Sequence, residues 1–292
     1  MAGVRTTSAG RGIPWIMPEL PEVEHAARTL RAWLGGRTIV RARAGDTRIF
    51  RGGSPRDFER LLPGRRLERI DRRGKYLLLT FDGGLGLLGH LGMTGQWLRR
   101  TPEPPSGRRT VPRHSHARLV LDDGSALHYV DPRLFGQLSL VIEGAVSELP
   151  VIRALGPDAL VDGVDAARLH GVLGRSARPI KVALLDQSVL AGIGNIYATE
   201  ALFHAGIHPS RSSKSLSLEE ASRLAVEIRA VLDLAISGMV GEEIAYLSQG
   251  RGAVNRFVIY DRAGSPCPRC GQTLDKLTLG GRTSAFCPGC QR

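Results

Sequence analysis

The stretch DQSVLAGIGNIYATEALFHAGIHP, Asp186 to Pro209, decides how the second half of the chain folds. Apolar residues at helical spacing flank Ala191-Gly192-Ile193-Gly194-Asn195, so two helices meet at a corner. Gly192 and Gly194 permit a tight reversal, which leaves the first backbone N–H groups of the second helix exposed. Such a corner either binds phosphate or is an ordinary packing turn between helices. Asn195 favours the first reading, because a cap residue that also points outward reaches a phosphate.

The helical pattern extends on both sides of this corner. AARLHGVL and IKVALLDQSVL precede it, and SLEEASRLAVEIRAVLDLAIS follows, with Ser217 and Glu220 as a capping-box start. Leu155-Gly156-Pro157 reads as a linker. Ahead of it the signals become short apolar or alternating runs: TIVRARAG, RLERI, KYLLLTF, GLLGHLGM, ARLVLDD, ALHYV and QLSLVI, separated by Gly, Pro or Asp-Gly breaks. They predict an antiparallel sandwich or barrel up to about Glu148. One helix precedes them. Pro21 suits its first position, Glu22 and Glu24 suit the positive end of its dipole, and Gly35-Gly36 stop it. Val23, Ala27, Leu30 and Leu34 share its apolar face. After the long helix come a Gly/Arg-rich stretch, SQGRGAVNR, a short FVIYD strand and a cysteine hairpin.

The predicted divisions are therefore a disordered leader over 1–16, an N-terminal domain over 17–150, a helical domain over 151–250 and a finger over 251–292. The leader, MAGVRTTSAGRGIPWI, has no periodicity and lacks the apolar core of a secretory signal.

A chain of 292 residues, 42% hydrophobic and 23% charged, is long enough for two cores. No apolar run approaches membrane-spanning length. Forty Lys+Arg face 28 Asp+Glu, a formal net charge of +12, and without Arg5 and Arg11 of the leader the excess is still +10. That excess points to a polyanionic partner, or to a basic protein of the ribosomal or RNA-associated kind. Lysine occurs only at Lys75, Lys181, Lys214 and Lys276. Arg cannot supply a neutral amine near pH 7 and Lys can, so each of these few lysines is a candidate for chemistry.

All four cysteines lie in the last segment, as Cys267-Pro-Arg-Cys270 and Cys287-Pro-Gly-Cys290. Two CxxC pairs separated by sixteen residues match one four-thiolate zinc site, the alternative being two disulfides. The missing secretion signal and the tightness of a CxxC loop favour zinc. With every position filled by protein, one Zn2+ would be structural and could not activate water.

Six motifs in order resemble the formamidopyrimidine-DNA glycosylase family, which is related to endonuclease VIII. They are PELPEVE (Pro18 to Glu24), RRGKYLLL (Arg72 to Leu79), HLGMTG (His90 to Gly95), DPRLFG (Asp131 to Gly136), LLDQSVLAGIGNIYATEALFHAGIHP (Leu184 to Pro209) and GRTSAFCPGCQ (Gly281 to Gln291). The resemblance covers nearly everything from Met17 onward. It implies an α+β fold: an N-terminal helix with an antiparallel β-sandwich, a helix-two-turn-helix domain and a four-cysteine zinc finger. The partner implied is damaged double-stranded DNA, bound by a monomer in the bacterial cytoplasm, at the nucleoid.

In this family the proline that follows the initiator Met becomes the N-terminal residue. Its secondary amine attacks the deoxyribose C1′, expels the damaged base and forms an iminium ion that permits β- and then δ-elimination. Pro18 inside a chain has a delocalised amide nitrogen and is chemically dead, a mere helix preface. The resemblance therefore implies translation from Met17, or trimming to it, with residues 1–16 a gene-start error. Glu19 corresponds to the general acid/base at sugar O4′. Glu22 either supports it or serves the helix dipole. Lys75 corresponds to the lysine that grips or protonates near the lesion sugar, and Arg282 to the finger arginine that holds the lesion's phosphates.

A base must leave the duplex before its sugar can be reached, and the hole needs filling. Phe135 corresponds to the wedge, Met93 to the filler and Arg133 to the partner of the orphaned base, although Met93 and Phe135 also suit core packing. His114 matches a phosphate contact, and Lys181 a lysine facing DNA. Two departures stand out. Leu134 replaces a second basic residue, and SQGRGAVNRFVIYDRAG is short, with Asp261 and Ser265 unusual, which leaves 8-oxoguanine recognition open. The resemblance implies removal of oxidised purines, 8-oxoguanine and formamidopyrimidines. Its alternatives are an endonuclease VIII-like preference for oxidised pyrimidines and a DNA-binding relative without catalysis.

Overall fold

The computed structural model describes residues 18–101, 111–239 and 257–292. The leader lies outside the described residues, as does the stretch Ser248 to Arg256. Helix α1 (Leu20–Leu34) leads into β1 (Ile39–Ala44), α2 (Pro55–Leu61), β2 (Leu67–Arg73), β3 (Tyr76–Phe81), β4 (Gly86–His90), β5 (Gln96–Arg100), β6 (Ser115–Leu121), β7 (Ala126–Val130) and β8 (Gln137–Val141). The strands form two antiparallel four-stranded sheets, in the orders β1-β6-β7-β5 and β2-β3-β4-β8. Their inner faces close over one core, in which Trp97 meets Tyr129 edge to face at 5.3 Å among Leu77, Leu79, Leu87, Leu119 and Leu127. Val23, Ala27, Leu30 and Leu34 of α1 bury into the same core, as their spacing requires.

Two elements of this domain leave little trace in sequence. Helix α2 has seven residues and buries only Phe58; Ser54 caps it and Pro55 opens it. Strand β5, QWLRR, stands beside a turn and carries three polar residues out of five.

The helical body contains α3 (Pro150–Arg153), α4 (Ala166–Leu173), α5 (Ile180–Leu184), α6 (Asn195–Ala205) and α7 (Leu218–Ser237). The helix expected over IKVALLDQSVL stops early. Asp186 accepts hydrogen bonds from the N–H and hydroxyl of Ser188, an Asx turn that competes with further helix. Gln187 then clamps the corner, accepting from Gly192 N at 2.9 Å and donating to Ile193 O at 2.8 Å.

Into this corner goes the first residue of α1. Leu20 donates its N–H to Gly192 O at 3.1 Å, and its side chain belongs to the helical core with Ile193, Ile196 and Tyr197. Gly192 has φ +101°, and a Cβ there would lie 2.4 Å from Leu20 Cδ1. The glycine is needed twice, for its dihedral and for its missing side chain.

In the finger, β9 (Asp275–Leu279) pairs with β10 (Arg282–Phe286). The four cysteines are free thiols, not disulfides, and their sulfurs all lie within 4.8 Å of one another. Cys267–Cys290 and Cys270–Cys287 Sγ separations of 3.8 and 3.5 Å suit ligands placed tetrahedrally about 2.3 Å from one zinc. These four residues are positioned to coordinate a single structural Zn2+ ion. The strand expected at FVIYD is absent. The N–H groups of Val258, Ile259 and Tyr260 all donate to the buried Glu200 carboxylate, at 2.8, 3.0 and 2.8 Å, so none remains for a ladder.

Gly192→Ala should cost about 3 kcal/mol, from the left-handed dihedral together with overpacking against Leu20. Urea unfolding measures this, and a loss below about 1 kcal/mol would show that the corner does not depend on the glycine.

Candidate active site

The site begins where α1 meets α6. Pro18 and Glu19 are both buried. Glu19 occupies the N-cap position of α1, yet its carboxylate crosses to the other domain. There Oε1 accepts from Ile196 N at 2.9 Å and Oε2 from Tyr197 N at 3.3 Å. The N-cap of α6 is Gly194, which has no side chain to offer, and a Cβ on it would lie 2.3 Å from Glu19 Cδ. The glycine leaves the space that the carboxylate fills. The corner does bind an anion at a helix N-terminus, but the anion is the protein's own, so the phosphate reading of these N–H groups is corrected.

Behind Glu19 stands Glu22, buried as well. Its Oε2 accepts from Glu19 N at 2.9 Å and its Oε1 accepts the Tyr197 hydroxyl at 2.8 Å. Burial raises the Glu19 carboxyl above its ordinary range, opposed by Lys75, by the two amides and by Lys181. Burial and the neighbouring Glu19 push Glu22 up to about 7. Burial lowers the Lys75 amine, with Glu19 opposing. Burial thus raises two carboxyls and lowers two amines, Lys75 and Lys181, narrowing the gap between acid and base as proton-transfer chemistry requires.

Lys75 owes its place to the β2–β3 turn. Gly74, at φ +56°, sits so close to the corner that a Cβ would meet Ala191 Cβ at 3.3 Å and Gly192 N at 3.4 Å. Asp158, fully buried, accepts from Gly74 N at 2.7 Å and forms a two-pronged ion pair with Arg72 at 2.5 and 2.8 Å, while Glu24 takes Arg72 Nε at 2.9 Å. Opposite, the finger turn brings Arg282 in, with Gly280 against Val182. Between them lies a cleft of 410 Å³, lined by Lys75, Arg178, Asp186, Asn195, Gly280 and Arg282.

A second group lies on the loops after β4 and β7. Asp131 accepts from Gly136 N at 2.7 Å, from Arg133 N at 3.2 Å and from the Thr94 hydroxyl, and so ties the loop of Met93 to that of Arg133 and Phe135. Phe135 is 45% exposed, which rules out a core role, and the guanidinium of Arg133 lies 4.7 Å from its ring centre. Met93 is half-buried and His114 exposed, at φ +62°. Leu134, the departure from the family pattern, packs on the sandwich core.

Lys181 does not face the cleft. It is fully buried; Nζ donates to Ser284 Oγ at 2.8 Å and to Thr199 Oγ1, joining α5, α6 and the finger, and burial lowers its pKa to about 7. The amphipathic stem and these two hydroxyls draw it inward. Asn195 lines the cleft, and its Nδ2 donates to Thr283 O at 3.1 Å. Sequence reading missed Tyr197, Glu200, Asp158, Arg178, Arg48 and Tyr260. Arg48 donates to the Arg133 and Leu134 carbonyls at 2.9 Å. Tyr260 lies near Asn195, Glu19 and Arg282. A tyrosine, a threonine and a glutamate within the mainly apolar IYATEALF run are the available signal.

The raised Glu22 pKa makes stability depend on pH in a defined direction. Between pH 4.5 and about 7 the folded protein binds more protons here than the unfolded chain, so this group's contribution to stability falls as pH rises. Glu22→Gln removes that dependence. Urea unfolding at pH 5, 6 and 7 should show the variant gaining on the wild type by about 1 kcal/mol per unit, and a pH-independent difference would contradict the assignment.

Family models match the chain in three parts: the formamidopyrimidine-DNA glycosylase N-terminal domain over residues 17–138, the H2TH domain of the same enzymes over 155–244, and the zinc finger found in FPG and IleRS over 264–292. The formamidopyrimidine-DNA glycosylase of Thermus thermophilus is 40% identical over 280 residues, 94% of this chain and 98% of the relative. That of Exiguobacterium sp. is 39% identical over 282 residues, 94% of this chain and all of the relative. Among solved structures, MutM (Fpg) from Thermus thermophilus superposes with a TM-score of 0.76 at 39% identity, covering 94% of this chain and 98% of that one. A complex of the Lactococcus lactis Fpg with DNA containing an abasic site gives a TM-score of 0.82 at 31% identity, covering 94% of this chain and 100% of that one. Matched over nearly its whole length in sequence and in fold, the chain belongs to the formamidopyrimidine-DNA glycosylase family.

Proposed function

We propose that this chain, once Pro18 is its first residue, is a bifunctional DNA glycosylase and abasic-site lyase that removes oxidised purines. The observation that carries the reading is the buried Glu19 carboxylate, adjacent to Pro18 and interacting with Lys75, which lines a cleft with Arg178 and Arg282. The Pro18 nitrogen attacks the deoxyribose C1′, and the base departs with its bonding electrons and takes up a proton. Glu19, a carboxyl whose affinity for a proton is raised by burial, passes a proton to O4′ as the ring opens. The resulting iminium withdraws electrons from C2′. Loss of a C2′ proton expels the 3′ phosphate, and loss of a second proton, from C4′, expels the 5′ phosphate.

Lys75 and Arg282, on opposite walls, hold the flanking phosphates. Phe135, Arg133 and Met93, tied together through Asp131, enter the duplex where the base has left, and this set supports the purine preference. Bound zinc supplies only support to the hairpin that carries Arg282, since cysteine fills all four ligand positions.

Borohydride trapping tests the reading. Protein started at Met17 should form a covalent adduct with duplexes carrying an oxidised purine or an abasic site, and should act on the oxidised purine at least about tenfold faster than on an oxidised pyrimidine. Protein started at Met1 should form none. No adduct from the Met17 form, or equal adducts from both, would overturn it.

A further inference from the structure

Tyr197 touches both acids of the site. Its backbone N–H donates to Glu19 Oε2 and its hydroxyl to Glu22 Oε1. The remaining oxygens are also taken: Glu19 Oε1 by Ile196 N and Glu22 Oε2 by Glu19 N. The Tyr197 ring is 1% exposed and packs edge to face with Phe257 at 6.0 Å, so the hydroxyl has little freedom to turn elsewhere. We infer that Tyr197 is a positioning residue that fixes how the Glu19–Glu22 pair holds its proton, one residue of α6 gripping the two carboxyls of α1. The inference rests on the glycosylase reading for its meaning in catalysis, though not for its proton chemistry.

Two neighbouring carboxyls buried together cannot both ionise freely, and they titrate as a pair. The groups that bias this pair come from every side. Lys75 faces it from the β2–β3 turn, Lys181 from α5 and Tyr260 from the finger's approach, while Glu200 lies beyond Tyr197 on α6. Among these, Tyr197 alone donates a side-chain hydrogen bond directly to Glu22. A donor to a carboxylate favours its charged form, so removing the hydroxyl leaves the proton on the pair up to a higher pH. The backbone N–H to Glu19 survives Tyr197→Phe, so the hydrogen bond removed is the one to Glu22.

Infrared titration of the protonated-carboxyl C=O band, assigned to Glu22 by its loss in Glu22→Gln, reads the pair without relying on activity. In zinc-loaded protein beginning at Pro18, Tyr197→Phe should move the midpoint up by about one pH unit. The break in the pH profile of single-turnover base release should move with it. As a second variant that keeps the phenol, 3-fluorotyrosine at position 197 is a stronger donor and should move both downward. A midpoint unchanged in both variants overturns the inference, as does a shift of the base-release break by Tyr197→Phe that persists when Glu22 is already Gln. If the infrared midpoint moves while the wild-type protein releases no base, the glycosylase reading fails and the role of Tyr197 in holding the proton stands.

Discussion

The seating of the Glu19 carboxylate on the N-terminus of α6 is the contact on which the rest of the molecule depends. It joins residues 177 positions apart and ties the sandwich to the helices at the point where the chemistry is placed. Hydrogen bonds to a charged group contribute about 1.5–3 kcal/mol and a helix N-terminus up to about 2. Burying the carboxylate costs several kcal/mol in return, so the contact adds little net stability. What it fixes is position. Leu20, one residue on, is already in the helical core, and α1 then runs into the sandwich core, so the two bodies share one helix as their common strut.

The same arrangement recurs at each loop that reaches the cleft. Most residues at the tips are cationic or exposed, Met93 being half-buried, and a buried polar staple behind each tip sets its position. Asp158 and Arg72 hold the turn bearing Lys75; Asp131 holds the loops of Met93, Arg133 and Phe135. Glu200 gathers three backbone N–H groups at the approach to the finger, and the four cysteines hold the hairpin that ends in Arg282. Each of these carboxylates is fully hydrogen-bonded or paired, which is the condition under which burial of charge is tolerated.

Much of this was legible in the sequence, for identifiable reasons. Helices α1, α4 and α7 bury an apolar stripe, α6 is an apolar run buried on nearly every side, and seven strands are short apolar or alternating runs between breaks, so pattern and breaks mark them. Helix α2 and strand β5 bury too little to leave a pattern. The four cysteines announced the finger by spacing alone. Periodicity carries no information about which polar side chain crosses between domains. Gly192 and Gly194 looked like a phosphate-binding corner because the occupant, Glu19, stands at the other end of the chain. Lys181 looked like a DNA contact because its two hydroxyl partners, Thr199 and Ser284, lie 18 and 103 residues away. The chemistry-bearing residues were legible through family motifs, whereas the staples that aim them emerged only from the fold.

Amide hydrogen exchange at Ile196 and Tyr197 tests the central contact most directly. The first amides of a helix have no intrahelical partner and ordinarily exchange fast, so protection at these two positions reports the Glu19 carboxylate itself. They should exchange as slowly as the interior of α6 in the intact protein and at least about tenfold faster in Glu19→Ala, with Ala201 and Leu202 unchanged. Equal protection in the two proteins would show that the helix N-terminus is satisfied by something else, and the account of how the site is built would be wrong.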